Sequence, residues 1–394
     1  MAAPTRLRGC VNVLHQTCKY VQYSRYFLRT SKTTQNAPPY PRFQSTSHGY
    51  RQNTRKRTWS IFTRASMFTL GSAVIGFEGW KVYAGGKVKP DLTPSRRIHM
   101  DTDISGLKLT LFQYQTCPFC CKVRAFLDYH GFSYNIVEVN SITKKQLKWS
   151  DYKKVPLLVL DGVGEDDFLA LRDSCVIVSL LESFMGNKLQ KLDQLHSYYP
   201  CIESKEGRKT VYDFPNKYFI MYMDRSIDTT PEERKEERQW RHWADSNLVH
   251  MLSPNVYRTR SEALQAFHYF SDVGEWEKNF SGMERQIVIY LGATVMYFIG
   301  KMLKNKYKLK DDVRESLYDS CREWTKALSK KKQQFMGGDS PNLADLAVYG
   351  VLSSIEGCEA FQDALSNTNI GPWYRRTKVA VNSHAGANPL KKKS

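Results

Sequence analysis

One stretch limits what this chain can fold into more than any other. From Leu107 to Gly186, strand and helix signals alternate in the order β-α-β-α-β-β-α, with Cys117-Pro118-Phe119-Cys120 set between the first strand and the first helix. Leu107 to Phe112 alternates as a half-buried strand does. Thr116 to Pro118 reads as a turn with proline at a helix start, where its missing N–H is not needed. Val123, Phe126, Leu127 and His130 then fall at i, i+3, i+4 and i+7, one face of a helix that Gly131 stops. Tyr134 to Val139 predicts a second strand, Lys144 to Ser150 a short helix, Val155 to Leu160 a third strand, Asp161-Gly162 a turn, and Phe168 to Leu171 a fourth strand. Asp173-Ser174 caps a helix over Cys175 to Phe184, ended by Met185-Gly186.

From about residue 200 the pattern is helical. Glu232 to Val249 is charged and periodic, and Asp312 to Lys330 predicts another helix. Arg285 to Gly300 is the most apolar segment of the body; its uncharged run, Ile287 to Gly300, is 14 residues. A membrane span needs ~20 such residues, so a buried core helix is expected. Phe335 to Gly350 reads as a turn followed by an apolar helix, with Asn342 as cap and Asp345 at the third position. The expected divisions are a linker over 84–104, an α/β unit over 105–187, a helical unit over 200–382 and a basic, unstructured tail over 383–394.

The formal net charge of +19 points first to nucleic acid, but its distribution argues otherwise. Residues 1–64 hold 12 Lys and Arg and no acid, leaving 46 basic against 39 acidic residues in the remaining 330. The excess therefore belongs to a leader, and no nucleic-acid partner is expected. An acid-free, Arg/Ser/Thr-rich leader over 1–58 matches an organelle transit peptide or a basic arm beside a membrane. The thirteen uncharged residues Ala65 to Phe77, extended by flanking aromatic and aliphatic residues, predict a short anchor over 59–83. Nine sparse cysteines without framework spacing indicate a reducing compartment.

A cysteine at a helix N-terminus faces free N–H groups and the positive end of the dipole, which lower its pKa. Cys117 takes that position at an accessible turn, with Cys120 one helical turn inside. The motif reads as a dithiol couple or as a single activated thiol at Cys117. Zinc requires more ligands than the chain offers, with neither a second Cys-x-x-Cys nor a nearby His pair. Cys120 lines a pocket or packs as a small core residue, and Cys121 reads as packing. Tyr114, at the strand end, orients the thiol and donates to a ligand oxygen, or packs against the helix. Phe119 lines an apolar pocket or packs. The helix start at Asp173-Ser174 suits a carboxylate ligand as well as a cap.

This thioredoxin-like unit, joined to a helical region carrying Gly337-Gly-Asp-Ser-Pro-Asn-Leu-Ala-Asp-Leu-Ala-Val-Tyr-Gly350, resembles the glutathione S-transferase superfamily. Within it, Tyr114 to Asn140, Lys153 to Val159 and Leu171 to Ile177 are similar to the membrane-associated prostaglandin E synthases, and the resemblance runs from about Gly106 to Lys378, with the basic leader and the apolar segment besides. It implies an α/β plus all-α architecture: a thioredoxin-like, glutaredoxin-type domain followed by a glutathione S-transferase-like helical domain. It implies isomerisation of prostaglandin H2 to prostaglandin E2, with Cys117 as the thiol. It also implies a cis Val155–Pro156 bond whose Val155 N–H and C=O meet the central amide of glutathione. Ser174 would receive the γ-glutamyl carboxylate and Asp173 the α-amino group. Haem held through the sulfur of bound glutathione, a homodimer, and a Golgi-membrane form with a processed cytoplasmic form follow from the same resemblance; the leader composition favours mitochondria instead. The rival readings are a glutaredoxin-like thiol–disulfide oxidoreductase, a haem- and glutathione-binding protein that breaks the endoperoxide down, and a membrane-tethered scaffold without turnover.

Overall fold

A computed structural model of the protein describes residues 89–186, 190–207, 209–221 and 229–387. The expected leader, the anchor segment and the tail beyond 387 lie outside them. The first strand falls where a linker is expected: β1 (Arg96–Ile98) pairs antiparallel with β3 (Tyr134–Glu138) and forms one edge of a five-stranded sheet. Three residues are too few for an alternation to be read. β2 (Lys108–Gln113) is central and buried from Leu109 onward, with β3 parallel on one side and β4 (Leu157–Asp161) antiparallel on the other. A parallel neighbour needs a crossover, and helix α1 (Pro118–Tyr129) supplies it, laying Val123, Phe126 and Leu127 on Leu109, Leu111 and Leu158 of the sheet. Gly131, with φ +65°, lets the chain leave α1 in a left-handed turn. β5 (Phe168–Arg172) closes the other edge, giving the order β1-β3-β2-β4-β5, and α2 (Ser174–Gly186) follows it. The segment expected as a short helix is a single 3-10 turn, Lys145–Leu147.

After α3 (Leu192–Ser197) the expected helical region opens with a hairpin instead, β6 (Ile202–Glu206) and β7 (Lys209–Asp213). β6 is exposed along its length and carries no apolar alternation, so the period that marks a strand is missing. The helices then run α4 (Pro231–Trp243), a π-helical turn over Ala244–Leu248, α5 (Val249–Val256), α6 (Arg260–Val273), α7 (Trp276–Asn279), α8 (Gly282–Tyr307), α9 (Val313–Lys331), α10 (Leu343–Ser353), α11 (Glu359–Asn367) and α12 (Ile370–Asn382). Asn342 caps α10 with Asp345 in the reciprocal box, and buried Asp345 also accepts from Met336 N, Gly337 N and Trp373 Nε1. α10 meets α1 so closely that a Cβ at Gly350 would stand 2.5 Å from Lys122 Cα.

Two further expectations change. α8 is a core helix on one side only: Ile289, Ala293, Met296, Ile299 and Leu303 are buried beside α6, while Met283, Tyr290 and Phe298 face outward. Residues 383–387, expected as loose tail, turn back onto the end of α1. There Gly386 N donates to Tyr129 O and His384 Nδ1 donates to Asp128 O, satisfying carbonyls that a helix end leaves open.

Candidate active site

Strand register gathers the signature residues at one end of the strands. Phe112 of β2 is opposite Leu157 of β4, and Leu157 is opposite Arg172 of β5. The chain therefore leaves β2 into Tyr114–Cys117, enters β4 from Val155–Pro156, and leaves β5 into Asp173–Ser174, all at the same end. Val155–Pro156 is cis, as the resemblance implies. Pro156 and Ser174 are buried, while Val155 and Asp173 are half-buried.

Cys117 is the N-cap of α1 with extended backbone, and its carbonyl accepts the first helical bond from Cys121 N at 2.9 Å. The accessible thiol expected from the turn is instead largely covered, at 8% exposure. Its pKa is lowered, first by a hydrogen bond from the Cys120 thiol; burial opposes this, and the N–H groups of Cys120 and Phe119 and the Arg124 charge assist. Cys120 is wholly buried, and burial followed by its bond to Cys117 pushes its own pKa well up. Cys120 thus acts as a neutral donor to the Cys117 sulfur. Tyr114 is raised by burial and then by the two neighbouring sulfurs and Glu138, so its hydroxyl stays protonated. Phe119 is half-buried, and Lys122 Nζ lies 5.2 Å from its ring centre. Cys121 packs as expected, and Arg124 Nη2 donates to its sulfur at 3.1 Å.

Asp173 has φ +71°, and its Oδ1 accepts from Cys175 N at 2.8 Å while Oδ2 lies 3.9 Å from Lys217 Nζ. Behind it is a buried cluster that the sequence reading missed. Asp245, on the π-helical turn, pairs with Lys122 of α1 and accepts from Cys175 Sγ and Tyr218 Oη, each at 2.9 Å. Burial acts to raise the Asp245 carboxyl, but Lys122 and Lys217 outweigh it and hold it low. Cys175 is pushed up to about 12 by burial and by Asp245. One side-chain cluster therefore joins α1, α2 and the helical region directly behind Ser174. Arg124 braces the other flank, donating to Gln113 Oε1, Gln115 O and Cys121 Sγ, so the loop carrying Tyr114 and Thr116 is tied to α1. Lys122 and Arg124 are the two cations within the otherwise apolar stretch Cys120 to Leu127, the one local hint of either cluster. Their partners come from segments far along the chain. Beside Arg124 a cavity of about 210 Å³ opens, lined by Thr116, Cys121, Asp128, Tyr349 and Glu356 among others.

Residues 109–164 match the family model for glutaredoxin. The chain is 40% identical over 389 residues to prostaglandin E synthase 2 of Danio rerio, covering 96% of this chain and 98% of that one. It is 45% identical over 281 residues to prostaglandin E synthase 2 of Mus musculus, covering 70% and 71%. Among solved structures, glutathione transferase F7 from Populus trichocarpa covers 71% of this chain and 99% of its own at 15% identity and a TM-score of 0.39.

Proposed function

The chain belongs to the prostaglandin E synthase 2 family, and from that premise we propose that it isomerises prostaglandin H2 to prostaglandin E2 with Cys117 as the reacting thiol. The observation that carries this is the lowered thiol of Cys117, held by Cys120 and two backbone N–H groups. The chemistry balances without external electrons. The thiolate bonds to the endoperoxide oxygen on C9, the O–O bond breaks, and the C11 oxygen takes a proton. Loss of the C9 proton to the oxygen of the proton donor, left as its anion, then forms the ketone, breaks the S–O bond and returns both the thiolate and the protonated donor. Tyr114, kept protonated, is the proposed donor to the C11 oxygen. Phe119, half-buried, borders the apolar part of the pocket, while Cys120, expected there too, is wholly buried and acts from behind as the donor to Cys117.

Glutathione is the proposed cofactor. The cis bond leaves Val155 able to offer N–H and C=O to its central amide, beside Pro156. The N-terminus of α2 at Ser174 takes the γ-glutamyl carboxylate, and Asp173 takes the amine. Haem would ride on the sulfur of that glutathione. The cavity beside Arg124 is lined by none of the residues given to glutathione and is not that site. No step above involves haem. We include in the proposal a membrane tether through 59–83, a Golgi-membrane form with a processed cytoplasmic form (mitochondria being the alternative address), and a second copy of the chain as partner.

The deciding experiment compares Cys117→Ser and Cys120→Ser with prostaglandin H2 as substrate. The isomerase reading expects turnover to be lost in the first and retained in the second. Loss in both, with thiol–disulfide exchange lost in parallel, supports a dithiol oxidoreductase instead. Sequencing the N-terminus of the protein from each membrane fraction tests the addresses, with cleavage near residues 85–95 expected for the released form.

A further inference from the structure

The cavity of about 210 Å³ beside Arg124 takes no part in the reaction above, yet its lining holds two opposite charges that do not pair. Arg124 and Asp128 stand at i and i+4 on one face of α1, the spacing at which opposite charges on a helix meet. Here each is committed elsewhere. Arg124 donates to Gln113 Oε1, Gln115 O and Cys121 Sγ, all neutral acceptors. That leaves its Nε–H and one Nη1–H without an acceptor among the described residues. Asp128 Oδ1 accepts from Tyr134 Oη at 2.8 Å. Burial raises the Asp128 carboxyl in spite of that bond and of Arg124, so a cation beside it is favoured.

α10 and the turn after it add Tyr349 and Glu356 to the lining. Tyr349 is 7% exposed, and its hydroxyl has no hydrogen-bond partner among the described residues. Burial, then the charges of Glu356 and Asp128, keep that hydroxyl protonated, so it is an unused donor within the field of both carboxylates. Glu356 pairs with Lys378 through Oε1. Apolar lining comes from Ala125, Val273 and Val381. The volume is below the ~300–1,000 Å³ of ordinary ligand pockets, so the occupant is small. An anion alone would meet Asp128 and Glu356, and a cation alone would meet Arg124. A carboxylate and an ammonium on one carbon answer both. The rise of ~6 Å from Arg124 to Asp128 along α1 is a span they bridge with a hydrogen bond at each end. We propose that this cavity binds a free α-amino acid with an apolar side chain, its carboxylate on Arg124 and Tyr349 and its ammonium on Asp128 and Glu356. The site adjoins the Cys117 loop through Thr116 but shares no residue with those given to prostaglandin H2 or glutathione, and it does not rest on that chemistry.

The test is equilibrium dialysis of the full chain against radiolabelled L-leucine. Saturable binding is expected. Isocaproate, which lacks the ammonium, and isoamylamine, which lacks the carboxylate, should each compete at least ~10-fold more weakly than unlabelled leucine. Tyr349→Phe removes the hydroxyl alone and should weaken leucine ~5-fold, the effect of one hydrogen bond. Circular dichroism checks that this variant folds, and Glu356→Gln serves if it does not. Cys117→Ser should bind leucine as the unaltered chain does, whatever becomes of its prostaglandin turnover. Absence of saturable binding overturns the proposal, as does equal competition by either analogue. So does leucine binding indifferent to both Tyr349→Phe and Glu356→Gln, or its loss in Cys117→Ser, which would move the ligand to the glutathione site.

Discussion

Cys117 and Cys175 both sit in the opening turn of a helix, at the same end of the sheet's strands, and both are buried; their thiols nevertheless move in opposite directions. Cys117 faces donors: the Cys120 thiol, two backbone N–H groups and, farther off, Arg124. Cys175 faces a carboxylate, donating its own proton to Asp245 Oδ2. Burial disfavours both thiolates, so the sign of the nearest partner decides. A helix N-terminus alone does not make a reactive cysteine.

The widest separation between the two sulfurs is expected in turnover. Cys117→Ser should lower prostaglandin E2 formation on the order of 10²-fold or more, at least ~2.7 kcal/mol of barrier. Steady-state product analysis measures it, and near-normal turnover would falsify the role given to this thiol. Asp245→Asn attacks the comparison from the other side. It leaves Lys122 buried without its counter-charge, a change that typically costs about 3–5 kcal/mol and is read by chemical denaturation. In the same variant the Cys175 thiol should fall from about 12, so that alkylation of Cys175 appears at lower pH.

Cys120→Ala sharpens the account of Cys117. With the donor removed, the Cys117 pKa rises, and the pH profile of its alkylation moves to higher pH; Cys120→Ser keeps a donor and should move it less. Because the folded thiol is lowered, thiolate and turnover are present above that pKa and lost as pH falls through it. An unchanged profile in Cys120→Ala breaks the comparison. The smallest effect is expected for Cys175→Ser, which keeps a donor to Asp245 and should change turnover within ~3-fold, about 0.7 kcal/mol.

Most of the α/β unit was legible because strand and helix periods are local. Val123, Phe126 and Leu127 announced the face of α1, and Leu107 to Phe112 announced β2 within one residue of its bounds. β1 and β6 were not legible: one is three residues long, and the other is polar and exposed, so neither carries a period. The apolar run in α8 was read as core because composition does not say which neighbours arrive; one face met α6 and the other stayed largely exposed. At the candidate site, Cys117, Val155–Pro156 and Asp173–Ser174 stood out by type and spacing. Asp245 did not, since it reaches Lys122 across 123 residues of chain.

By itself the sequence determined where the strands and helices of the α/β unit run and which cysteine heads a helix, because those follow from spacing between near neighbours. Only the tertiary structure decided how exposed that sulfur is, that Cys120 donates to it, and that burial and then Asp245 silence Cys175. Those depend on groups brought together by β-sheet register and by the close packing of α1 on α10, and such distances are absent from the linear order of residues.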